Sequence, residues 1–167
     1  MVMPVYDDLE AVSVLGMLSS KNDGEGIIIM KDVANQVKVA YVNAKNNVLK
    51  SVWPETKGNI VENSVFLTSQ KESILYYSKG NEIFRYNFES DGNFPGSSDY
   101  TVGEEGDIVK GMMLDPQEKN LYVALDAAGN QEYKGCVYCY DVATKSLKWK
   151  ERGVAGEIVQ MIYKEQK

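Results

Sequence analysis

A short tetrad, Gly followed by an amide or acid and then Ile-Val, occurs three times in this chain. The copies are Gly58-Asn-Ile-Val61, Gly106-Asp-Ile-Val109 and Gly156-Glu-Ile-Val159, at intervals of 48 and 50 residues. A fixed period of that length marks a repeat architecture, in which each unit buries its apolar surface only against its neighbours. The segments between the copies agree in kind and order. After the tetrad the apolar run continues, as Glu62-Asn-Ser-Val-Phe-Leu67 and Lys110-Gly-Met-Met-Leu114, and a polar turn follows, Thr68-Ser-Gln-Lys-Glu72 and Asp115-Pro-Gln-Glu-Lys-Asn120. Second strands are expected at Ile74-Leu-Tyr-Tyr77 and Leu121-Tyr-Val-Ala-Leu125, and third strands at Ile83-Phe-Arg-Tyr-Asn-Phe88 and Val137-Tyr-Cys-Tyr-Asp-Val142. All are rich in the branched and aromatic residues that suit a pleated surface. The turn between second and third strands is short around Gly80-Asn81 and long over 126–135, as a surface loop on a repeat scaffold tolerates.

The first stretch follows the same plan, with strands expected over 11–18, 26–30, 37–42 and 48–53. The chain is therefore read as all-β: a partial β-propeller forming a single domain over 1–167, with three four-stranded blades at 11–59, 60–107 and 108–157 and an extra strand at 158–164. Four short strands every ~40 to 50 residues, apolar on both faces, describe a propeller blade, whose twisted sheet packs between two others. No segment carries the 3.6-residue period of a helical solenoid. A closed ring takes four to eight blades, so three leave two blade faces open. Either a two-fold homodimer completes a six-bladed ring, or the missing N-terminal part of a longer chain supplies further blades.

Composition removes several classes of function. A net charge of −6 gives no electrostatic footprint for nucleic acid or an anionic membrane surface. The absence of histidine removes Ser/His/Asp and Cys/His catalysis and imidazole zinc sites. No apolar run approaches a membrane span, and the first ten residues, with two Asp and a Glu and no basic start, do not read as a signal peptide. Cys136 and Cys139 form a C-x-x-C pair inside a strand pattern, where positions three apart point to opposite faces, so they are read as separate thiols. No cofactor is implied.

The run Asp141-Val-Ala-Thr-Lys-Ser-Leu-Lys-Trp149 resembles the quinoprotein-type (YVTN-like) propeller repeat Asp-x-x-Thr-Gly-x-x-x-Trp, with Lys145 where that family has Gly. Trp53 is the counterpart of Trp149 in the first unit, whereas the second has Asp99-Tyr-Thr-Val102 there. Over residues 60–164 the chain also resembles the C-terminal half of PKD-like surface lipoproteins associated with glycan uptake systems. The carrying residues are Ile83 to Phe88, Gly106 to Val109, Leu121 to Val123 and Gly156-Glu-Ile-Val-Gln-Met-Ile-Tyr-Lys164. That resemblance implies a cell-envelope location and a binding role. Such proteins carry a lipobox and immunoglobulin-like modules upstream, so it further implies a C-terminal piece or a truncated relative.

In a propeller the first strand of each blade lines the central channel, and ligands sit where such residues converge. The polar residues after each Ile-Val are Glu62, Lys110 and Gln160, with Ser13 as the counterpart in the first unit. They are expected to face one another across the channel, with a Glu62–Lys110 ion pair among them. Tyr133, in the long loop, is the tyrosine expected to be exposed to a ligand, while Tyr76, Tyr86, Tyr122, Tyr138 and Tyr140 are expected to fill the space between blades. The acidic glycine-rich turns at 22–26 and 91–99 lack calcium-loop spacing and are read as ordinary turns, and no metal site is assigned. These features favour a non-catalytic module binding glycan or protein. The alternative is a histidine-independent glycosidase or polysaccharide lyase using carboxylates at the channel mouth, for which no acid pair stands out.

Overall fold

The computed structural model of the chain describes residues 11–45, 48–51, 60–89, 94–129, 132–162 and 164. Trp53, Gly58, residues 91–93 and Tyr163 lie outside the described residues. Twelve strands and no helix are found among them. They form three antiparallel sheets, each a meander in which strands neighbour one another in chain order. The first sheet holds β1 (Ala11–Ser19), β2 (Glu25–Asp32), β3 (Val37–Asn43) and β4 (Val48–Ser51). The middle sheet holds β5 (Phe66–Thr68), β6 (Ile74–Lys79), β7 (Glu82–Asn87) and β8 (Tyr100–Thr101). The third holds β9 (Ile108–Leu114), β10 (Asn120–Asp126), β11 (Gly135–Asp141) and β12 (Leu147–Ala155).

Alternation along β6 and β7 explains how the sheets stack. Leu75, Tyr77, Phe84 and Tyr86 point to one side, where they meet Ile27, Ile29, Val37 and Val39 of the first sheet. Tyr76 and Ile83 point to the other, where they join Leu121, Val123, Leu125, Tyr138 and Tyr140 of the third sheet. The middle sheet is thus apolar on both faces because both are buried, while each outer sheet contributes one face to these cores. Within the first core Tyr77 stacks on Phe84 at 5.1 Å and meets Phe94 edge-on at 5.7 Å, and Phe94 stacks on Tyr86 at 4.1 Å. Tyr122 departs from the inter-sheet role expected of it. It lies on the opposite face of β10 and meets Trp149, with ring centroids 6.2 Å apart.

The Tyr77 hydroxyl is buried with no hydrogen-bond partner, and burial raises the phenol well above its ordinary pKa. Removing an unsatisfied buried hydroxyl while keeping the ring costs nothing in desolvation. Tyr77→Phe is therefore expected to leave stability unchanged or raise it by up to about 1 kcal/mol, checked by urea denaturation. A loss above about 1 kcal/mol would contradict this account of the ring.

Neighbouring sheets are also tied through their polar turns. Thr68 Oγ1 donates to the Ser19 carbonyl at 2.6 Å, and Ser69 Oγ donates to Glu118 Oε2 at 2.5 Å, each across a sequence separation of 49 residues. The Gln70 amide adds a bond to Glu118 Oε1 at 2.6 Å. At the opposite end the Val109 amide donates to the Gly80 carbonyl at 2.9 Å, binding β9 to the turn between β6 and β7. β5 contacts both β1 and β9, so the first strands of the three sheets follow one another in space.

Two expected strands take another form. The run after the first tetrad turns at Glu62-Asn63, where the Ser64 amide bonds the Val61 carbonyl at 2.9 Å, and only Phe66–Thr68 remains as strand. In the third unit the corresponding residues run straight into β9. The extra strand expected at 158–164 is not formed among the described residues 158–162. A strand needs a ladder partner, and here the segment instead crosses the open face of the third sheet. A Cβ on Gly135 would come within 2.9 Å of Ile158 Cγ1, so that glycine leaves the room Ile158 uses, while Met161 lies over Gly111 at a distance a Cβ there would meet in ordinary contact.

Candidate functional site

The proposed channel and loop residues separate into two charged pairs, which take up Glu62 and Lys110, and three exposed side chains, Ser13, Gln160 and Tyr133. Ser13 on β1 lies opposite Lys31 on β2 and is exposed. Lys31 Nζ is 2.6 Å from Glu62 Oε1, so Ser13 and Glu62 flank the same lysine. That ammonium holds the Glu62 carboxyl below the usual carboxylate range, by its hydrogen bond first and its charge second. Lys110 is the additional residue of a β-bulge in β9, between Val109 opposite Leu125 and Gly111 opposite Ala124. It pairs with Asp126 of β10 at 3.7 Å. The expected Glu62–Lys110 ion pair is absent from the described residues, because each group meets a closer partner on its own side. Gln160 is exposed in the segment after β12, and Tyr133 is exposed in the long loop. Glu62, held low, is shifted in the wrong direction for the proton donor of a glycosidase, which needs a raised pKa.

Cys136 and Cys139 are both free and buried. Cys136 faces the middle sheet and Cys139 does not, which agrees with the strand-based reading of two separate thiols. Burial pushes the Cys139 thiol above its ordinary value, away from nucleophilic reactivity.

Two further arrangements emerge. The first is at Asp107, the acidic residue of the second tetrad copy. Its side chain is 1% exposed, and Oδ2 accepts from Arg152 Nη1 at 2.9 Å and the Glu104 amide at 2.9 Å. Oδ1 accepts from the Ala128 amide at 2.8 Å, and Arg152 Nη1 also donates to the Tyr138 hydroxyl at 2.8 Å. Burial alone would raise the carboxyl, but the two amides and the guanidinium outweigh it and hold it below the usual range. Gly103 completes the arrangement: its φ is 76°, and a Cβ there would lie 2.4 Å from Asp107 Oδ2. Asp107 is therefore a joint that bonds the connection between sheets to the loop after β10 and to β12. The acidic position of the tetrad was legible as a repeat mark, while its arginine partner, 45 residues away, had no local signal.

The second is a cleft of about 680 Å³ between the middle and third sheets. Tyr76 and Arg85, directly opposed on β6 and β7, line it, as do Lys71 and Glu72 from one turn and Glu118 and Lys119 from the next. Arg85 lies over the Tyr76 ring with Cζ 5.5 Å from the centroid. Its Nε is buried without a hydrogen-bond partner, and Glu72 Oε2 stands 3.7 Å from Nη2. The available signal was Arg85 itself, a charge between the apolar and aromatic residues Ile83, Phe84 and Tyr86 in the middle of its strand.

No protein-family model and no curated protein matches the chain. Among the described residues no cluster of acidic or cysteine side chains is arranged to hold a metal ion, and no helix is long and apolar enough to cross a membrane.

Proposed function

We propose that this chain is a three-blade segment of a β-propeller acting as a non-catalytic binding or scaffold module. The observation that carries the reading is the middle sheet, which buries both faces while its first strand touches the first strands of its two neighbours. Bonds between residues 49 apart repeat that relation from sheet to sheet. The β11–β12 turn adds support. Asp141 Oδ1 accepts from the Thr144 amide at 2.9 Å and the Thr144 hydroxyl at 3.0 Å, and the next residue, Lys145, has a φ of 59°. That is the conformation for which the resembling repeat uses Gly.

A second copy completes the ring in this proposal, giving six blades. The outer sheets expose the apolar surface such closure needs: Val14, Leu15 and Met17 on β1, and Leu147, Trp149 and Val154 on β12. Light scattering at tens of micromolar is expected to give twice the chain mass of 18.7 kDa, and Met17→Glu combined with Trp149→Glu is expected to yield a folded monomer. A wild-type chain that stays monomeric with a cooperative thermal transition would overturn the second-copy reading. Placement at the cell envelope, with glycan or protein as ligand, is the role the lipoprotein resemblance suggests for such a module.

A further inference from the structure

We propose that the cleft at Arg85 binds a compact polyanion, a small molecule carrying at least two carboxylate or phosphate groups. Sign of charge carries the argument. The lining sets four cations, Lys71, Arg85, Lys119 and Lys148, against three acids. The oxygens of two of those acids are turned to the protein's own neutral donors, Glu118 to the Ser69 hydroxyl and the Gln70 backbone amide and Asp141 to its own turn, while Glu72 is exposed. Of the cations, Lys148 donates to Asn120 Oδ1 at 2.7 Å, while the other three are less occupied. Among the described residues Lys71 and Lys119 make no ion pair, and Arg85 has only the 3.7 Å approach of Glu72. That separation is about an ångström longer than the ~2.7–2.9 Å of a charge-assisted hydrogen bond. The buried Arg85 Nε has no acceptor at all.

A guanidinium with an unfilled donor, lying over an aromatic ring, is matched to the paired oxygens of a carboxylate or phosphate. Glu72 is itself exposed and is free to swing away as an incoming oxyanion takes its place. Lys71 and Lys119, rising from the two turns on either side, then meet a second anionic group of the same ligand. One such group would satisfy Arg85 alone; a second matches the ammonium groups of Lys71 and Lys119, which stand on the two walls without an ion pair among the described residues. The cleft lies between two sheets of one chain, so this proposal does not depend on how the ring closes.

Calorimetric titration of the wild-type protein with citrate and with pyrophosphate tests it, with glycerol as the neutral control. Saturable binding of one or both anions at one site per chain is expected, weakening as salt is raised, with no heat from glycerol; the tighter of the two identifies carboxylate or phosphate as the natural group. Lys71→Gln with Lys119→Gln, both exposed positions, is expected to weaken binding at least tenfold while leaving the circular dichroism and thermal midpoint unchanged. Arg85→Lys is expected to weaken it at least as much, because an ammonium cannot present two parallel donors. Lys21→Gln, on the first sheet, is expected to bind as the wild type does. No saturable binding of either anion, or a double lysine variant that binds as tightly as the wild type, would overturn the proposal.

Discussion

Asp107→Ala is expected to lower the thermal midpoint by roughly 6–12 °C, the equivalent of about 3 kcal/mol in a chain of this size. The side chain is 1% exposed and accepts from two backbone amides and a guanidinium, so its removal strands three donors at once. Arg152 retains the Tyr138 hydroxyl and a 3.7 Å approach to Glu104 and stays partly solvated, which keeps the loss below that of a fully buried ion pair. The effect has a pH signature. Because the folded carboxyl is held below its unfolded value of about 3.9, its contribution is complete above that pH and is lost as pH falls through the lower, folded value. Asp107→Asn should therefore remove part of the acid sensitivity of the wild type below about pH 4. Thermal melts between pH 2.5 and 7 check both points, and an Ala variant melting within 2 °C of the wild type would refute the joint.

Phe84→Ala is expected to cost more, about 3–5 kcal/mol, because the ring is fully enclosed between the first and middle sheets. It supports Tyr77 by a nearly parallel stack with an interplanar angle of 8°, and Tyr77 in turn supports Phe94. The cavity would open at the centre of an aromatic series, where flat rigid rings cannot relax into the gap. A loss of this size approaches the whole stability of a small domain, so equilibrium denaturation in guanidinium should show a large fall in midpoint or an unfolded variant at 37 °C. Phe84→Leu, which refills much of the volume, is expected to recover more than half of the loss. If Ala and Leu at this position behaved alike, packing volume would not be what Phe84 supplies.

How far the sequence foretold these features depends on the range of the interaction concerned. Strand positions in β2, β6, β7, β10 and β11 followed from runs of branched and aromatic residues, which report local backbone preference and burial together. Separation of the two cysteines followed from the two-residue period alone. The tetrad misled where it implied equal local structure: the same Ile-Val opens a seven-residue strand at Ile108 but precedes a turn at Glu62. Its segment after Gly156 forms no strand among the described residues, since pairing depends on a neighbour that local sequence does not encode. Charge partners were the least legible. Lys31 takes Glu62 across 31 residues and Arg152 takes Asp107 across 45, contacts created only when strands from different parts of the chain are brought side by side.

A strand that is greasy on both sides has no built-in way to know which side is which. In most sheets a slip of one residue turns the apolar set toward water and is heavily penalised. In β6 it would merely exchange the adjacent tyrosines Tyr76 and Tyr77, each of which already faces a core. Pairing fidelity in the middle sheet must therefore come from its polar fixtures: the tight turn at Gly80-Asn81, whose Gly φ of 60° admits few alternatives, and the two bonds by which Ser78 clasps the backbone of Val65. Arg85, held opposite Tyr76, is a further lock, since a slipped strand would drive its charge into the aromatic layer around Phe94. The residues that line the cleft and set its charge are thus also among those that prevent the chain from assembling out of step.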